Sequence, residues 1–153
     1  MQNPIKRIVS FNKDAGLLNK PYDDFLESSF LIEEALEGLG DTMFFAPKLG
    51  LEPESSCKEI SRAIVKDCIA EGESVSDVDR LDKACDAVVY AIGSMAKLGL
   101  SAQDITQALN IVMDKNLEKL KNKKYDAEGK LLKDPSFVGP EAQLQLLLDK
   151  RAK

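Results

Sequence analysis

Apolar residues recur at helical spacing along almost the whole chain, and nowhere does a run alternate at period two long enough to build a sheet. That pattern predicts an all-α fold, most simply a helical bundle. The 153 residues suit a single domain spanning residues 1–153, large enough to bury a core without staples. Ile5, Ile8, Val9, Phe11 and Ala15 predict a first amphipathic helix ending near Gly16. A second starts after Pro21, with Asp23 and Asp24 at its positive N-terminal end, and runs to Gly38 or Gly40. Two prolines and a glycine make 41–56 a loop. A third helix is expected from about Pro53 to Ala70, and a fourth from Asp77 or Asp79 to about Leu98, with Gly99 as its stop. Ser101 caps a fifth through Leu120. Beyond Lys121, Asp126 and Gly129 signal a turn between short extended pieces, and Glu141 to Arg151 reads as a last short helix.

Composition removes much of the chemical catalogue. The chain has no histidine, so His-based acid–base catalysis, His-ligated zinc and Ser-His or Cys-His nucleophile pairs are excluded. Its net charge of −5 argues against nucleic acid as a partner, because phosphates call for a basic face. Cys57, Cys68 and Cys85 form no CxxC pair, and their helical, apolar neighbours predict small buried thiols in a reducing compartment. No apolar run approaches the ~18 residues of a membrane span, and Met1 to Ser10 lacks the apolar core of a secretory signal. No membrane association and a cytoplasmic location are expected.

Two acidic strips carry the candidate chemistry. On the second helix, Glu33 and Glu37 lie ~40° apart around the axis, and Glu34 and Glu37 ~60° apart. The fourth helix is apolar over much of its circumference (Leu81, Ala84, Cys85, Val88, Val89, Ile92, Met95, Ala96), which predicts a place inside the bundle. Through it runs a polar strip of Asp82, Asp86, Tyr90, Gly93 and Lys97 at spacings of three or four. Read singly, each strip also fits a solvated helix face. Read together on facing helices, Glu33, Glu34, Glu37, Asp82 and Asp86 make an all-oxygen cage suited to Mg²⁺, with Mn²⁺ as a substitute. With no glycine-rich phosphate loop in the sequence, a bound phosphate would rely on metal and lysines.

These residues resemble the all-α NTP pyrophosphohydrolase superfamily, which includes MazG and phosphoribosyl-ATP pyrophosphohydrolase. The resemblance rests on Glu33-Glu34-x-x-Glu37, on Asp82-x-x-x-Asp86-x-x-x-Tyr90-x-x-Gly93, on Asn116-x-x-Lys119, and on Asp126-Ala-Glu-Gly129-Lys130-Leu-Leu-Lys133. It covers roughly residues 20 to 150. It implies a MazG-like helical bundle with a short extended C-terminal hairpin or tail. It also implies Mg²⁺-dependent cleavage of a nucleoside triphosphate between the α and β phosphates, in a homodimer or homotetramer whose subunits share the site. Carried over, Glu33, Glu34, Glu37 and Asp86 are catalytic carboxylates and metal ligands, with Asp82 a further ligand. Tyr90 lies beside the base, Asn116 and Lys119 contact nucleotide or phosphate, and Lys130 and Lys133 fold over the phosphates from the tail. Independently of the resemblance, lysines 119, 121, 123, 124, 130 and 133 cluster in an otherwise acidic chain, which predicts a lid spanning Tyr125 to Pro135. Two departures stand out: Lys83 occupies the place of the usual Glu in the second motif, and 47–75 is an apparent insertion. The alternatives are phosphoribosyl-ATP as substrate, or a non-catalytic helical binding or scaffold protein that lost its metal cage.

Overall fold

Asn3 begins the first helix by accepting a hydrogen bond from the Lys6 amide, and Pro4 supplies a pre-set first residue. In the computed structural model, which describes residues 2–40, 44–72, 75–126 and 131–150, the helices are α1 (Pro4–Asp14), α2 (Asp24–Leu39), α3 (Cys57–Glu71), α4 (Asp77–Lys97), α5 (Ala102–Lys119) and α6 (Glu141–Lys150). No strand occurs among the described residues. The only extended pairing there is an isolated antiparallel bridge between Tyr125 and Leu131, with the Leu132 amide donating to the Lys124 carbonyl at 2.7 Å. The protein is all-α.

Local signals set most boundaries. Asp23 caps α2 by accepting from the Leu26 amide. The third helix starts at Cys57, later than the Pro53 expected, because Ser56 and Glu59 form a reciprocal capping box that fixes the first turn. Ser101 and Asp104 do the same for α5. Gly99, at φ +87°, stops α4 in the left-handed region open to glycine. Arg151 lies outside the described residues, so the expected last turn of α6 is described only to Lys150.

The chain divides into two compact units, Pro21–Ser76 and the combination of Met1–Lys20 with Asp77–Lys153. In the first, α2 packs on α3 around Leu36, Ala46 and Ile60, with Ile32, Leu49 and Ile64 against them. In the second, Leu100, Ile105, Ala108 and Leu147 join α5 to α6. Here α1 is locked to α5 by Arg7, whose guanidinium donates to the Asn110 carbonyl (3.1 Å), to Asn110 Oδ1 (2.7 Å) and to Asp114. The Tyr125 hydroxyl and the Lys123 ammonium close the end of α1, donating to the carbonyls of Ala15 and Asp14 at 2.8 Å each.

Two expectations fail. The fourth helix does not lie inside: α4 has no buried residue, and only Met95 near its C-terminal end packs against the second unit's core. The thiols are not buried either. Cys68 and Cys85 are exposed and Cys57 is half-buried, because Cys85 sits on that outward helix and Cys68 follows the last buried residue of α3, Val65.

Candidate functional site

The acidic strip of α2 is split by burial. Glu33 is only 5% exposed, on the face that also carries Ser29 and Leu36, whereas Glu34 and Glu37 are exposed. Positions 29, 33 and 36 follow one helical stripe toward the interior, so the edge of the buried face runs between Glu33 and Glu37. Ser29 Oγ, one turn before Glu33, is buried with no hydrogen-bond partner among the described residues.

On α4, Asp82 and Asp86 have a cation already. Lys83 Nζ donates to Asp82 Oδ2 at 2.9 Å and to Asp86 Oδ2 at 3.3 Å, and all three side chains are more than half exposed. The hydrogen bond to Asp82, then that to Asp86, and then the charges of both push the Lys83 ammonium above its ordinary range. The one-residue and three-residue spacings were readable in sequence, where Lys83 stood out only as a departure. Tyr90 lies on the same helix and is 76% exposed. Glu33, Glu34 and Glu37 thus belong to one compact unit and Asp82 and Asp86 to the other. Among the described residues, neither unit gathers three carboxylates or thiols about one point. The donor chemistry fits Mg²⁺, being all oxygen, but Asp82 and Asp86 would have to exchange Lys83 for it.

The C-terminal candidates do meet. Lys119 Nζ donates to Asn116 Oδ1 at 2.8 Å and stands 5.4 Å from the centre of the Phe137 ring. Lys133 Nζ lies 5.7 Å from the same ring. Each ammonium group is attracted by the quadrupole of the Phe137 ring. The ring is positioned by a tight turn. Asp134 Oδ1 accepts from the Ser136 amide (2.9 Å) and hydroxyl (2.6 Å), and the Phe137 amide donates to the Asp134 carbonyl (2.9 Å). Phe137 was not singled out in the sequence, where its only signal is an aromatic residue in a loop bracketed by Pro135 and Pro140. Lys130 and the centre of the expected lid lie outside the described residues.

A groove of about 220 Å³ between α5 and α6 is lined by Gln107, Ile111, Gln143, Leu146, Leu147 and Lys150. None of these is a candidate, and the groove is below the ~300 Å³ at which small-molecule pockets begin. No helix among the described residues is long and apolar enough to cross a membrane.

No family model, curated protein or solved structure matches this chain. Its chemistry therefore rests on its own residues.

Proposed function

We propose that the chain is a Mg²⁺-dependent nucleoside triphosphate pyrophosphohydrolase that releases a nucleoside monophosphate and pyrophosphate. The observation that carries this reading is that Lys119 and Lys133, taken from two different motifs, both stand over the Phe137 ring, with Lys119 also donating to Asn116 of its own motif. Their chemistry suits a nucleotide: ammonium groups for the phosphates, an amide for hydrogen bonding and a ring for stacking. Glu33, Glu34 and Glu37 on α2, and Asp82 and Asp86 on α4, are the oxygen donors offered for Mg²⁺, each set taken by itself. When bound, the metal would supply charge neutralisation of the triphosphate and a more acidic water. In the hydrolysis, water bonds to one phosphorus of the α–β bridge, the bridging oxygen leaves with the other phosphate, and a carboxylate of the acidic set takes the proton. Lys119 and Lys133 orient the polyphosphate and offset its charge.

A second reading, a helical binding protein without catalysis, is favoured by one observation: Lys83 already neutralises both aspartates of α4. The test separating the two is pyrophosphate release from a panel of NTPs, dNTPs and phosphoribosyl-ATP, with and without Mg²⁺. Mg²⁺-dependent release from any of them supports hydrolysis and identifies the substrate class. No release from the whole panel supports the binding protein.

A further inference from the structure

We propose that the Ser29 hydroxyl is a further, neutral oxygen ligand of the divalent cation that Glu33 holds on α2. Among the described residues, the polar or charged side chains withdrawn from solvent are Ser29, Glu33 and Ser61, and all three belong to the unit in which α2 packs on α3. Ser61 Oγ donates to the Lys58 carbonyl at 3.0 Å. Ser29 Oγ makes no hydrogen bond among the described residues, although the side chain is only 1% exposed. Buried hydroxyls without a partner are rare in native proteins, and a bound ion is one of the few causes that retain them.

Helix geometry says where such an ion sits. Ser29, Glu33 and Glu37 stand at successive i, i+4 steps of α2, each turning ~40° about the axis. The strip therefore passes gradually from solvent into the α2–α3 packing: Glu37 is exposed, Glu33 5% exposed and Ser29 1%. Helical side chains lean toward the N-terminus, so Glu37 reaches back over Glu33, and Glu33 over Ser29. Residues at this spacing are neighbours, and a hydroxyl beside a carboxylate ordinarily donates to it. Ser29 does not. Its oxygen keeps unused lone pairs next to a carboxylate, and both are donors to a hard cation.

The charge balance suits a divalent ion. Mg²⁺ is commonly held by one or two carboxylates and keeps several waters. Glu33 and Glu37 supply the carboxylates, and a neutral third ligand adds no further negative charge to the buried end of the strip. The unmet hydroxyl costs stability in the metal-free chain, and binding offsets that cost. The assignment rests on the reading of α2 as a cation site given above. It adds a ligand that the Glu33-Glu34-x-x-Glu37 motif does not contain.

Mn²⁺ is the probe, titrated into the full chain and read from the paramagnetic resonance of the free ion. Glu33→Gln identifies the share of binding that belongs to α2. Ser29→Ala should weaken that share about tenfold, the order of loss when a group supporting a metal is removed. The metal-free variant should keep its far-UV circular dichroism and lose no stability to urea. A role in packing alone would move stability and leave Mn²⁺ affinity where it was. Direct ligation is read from Ser29→Cys in a background of Cys57→Ala, Cys68→Ala and Cys85→Ala. Thiolates favour softer ions, so Cd²⁺ should give a thiolate charge-transfer absorption at one ion per chain, and adding Glu33→Gln should abolish it. Absence of any Mn²⁺ binding sensitive to Glu33→Gln would overturn this proposal together with the metal reading of α2. Sensitive binding that is unchanged in Ser29→Ala, or no charge-transfer band, would overturn the hydroxyl ligand alone and leave that reading standing.

Discussion

Ser29 and Ser61 are buried equally well, at 1% and 0% exposure, on two helices of the same unit. They differ in one respect: Ser61 Oγ donates to the Lys58 carbonyl at 3.0 Å, and Ser29 Oγ has no partner among the described residues. Replacing either by alanine removes one oxygen from a helix interior and gains the same ~0.5 kcal/mol of helix propensity. At Ser61 the change also forfeits a hydrogen bond worth about 0.5–1.5 kcal/mol net. At Ser29 it removes an unsatisfied hydroxyl whose burial costs about 1–3 kcal/mol. Ser29→Ala should therefore be stabilising and Ser61→Ala neutral to mildly destabilising, with about 1.5–4.5 kcal/mol between them once the shared propensity cancels. Urea unfolding followed by circular dichroism, with hydrogen exchange of α2 and α3 amides to assign the transition, measures both. If Ser29→Ala is no more stable than Ser61→Ala, the Ser29 hydroxyl is satisfied in the native fold and the reasoning fails.

Three further outcomes are expected. Glu59 is held below its ordinary range by the Ser56 amide and then the Ser56 hydroxyl, and Asp104 by the Ser101 hydroxyl and then its amide. A lowered carboxyl contributes stability that is complete above its ordinary value and is lost as pH falls through the lowered one. Stability should thus decline below the ordinary values of 4.5 and 3.8, and Glu59→Gln with Asp104→Asn should flatten that part of the acid curve. Lys83→Gln should tighten Mn²⁺ binding several-fold, read from the paramagnetic resonance of free Mn²⁺, and an unchanged signal would remove Asp82 and Asp86 from the metal set. Lys133→Ala combined with Lys130→Ala should raise KM for the triphosphate several-fold with little change in thermal stability, and unchanged KM would make them surface lysines.

The helices were readable because their caps are local: Asp23 before α2, Ser101 with Asp104, and Gly99 after α4 all act within a turn. Ser56 with Glu59 is a signal of the same kind, and reading it would have placed the start of α3 correctly. What a single sequence does not encode locally is which surface covers an apolar face. The periodicity of α4 marks a seam equally well whether its partner is the same chain or another one, so an interior position was inferred for an exposed helix. The same limit applies to Glu33, Glu34 and Glu37. Glu33 and Glu37 lie only ~40° apart, narrower than the uncertainty in where the buried face ends, and only packing against α3 shows that Glu33 turns inward. Asn116 and Lys119 meet through their i,i+3 spacing on α5, but the meeting of Lys119 and Lys133 at Phe137 depends on the loop after α5 returning that ring to the helix, a tertiary event without a motif.

The claim that the acidic residues are catalytic is tested most directly by pyrophosphate release with Mg²⁺ from the best substrate of the panel, measured for the wild type, Glu34→Gln and Asp86→Asn. Both side chains are exposed, so each variant should keep the helical circular dichroism of the parent. Loss of release in both, with the fold intact, is the predicted result. Near wild-type turnover in both would make the two acidic strips solvated helix faces and contradict the catalytic assignment.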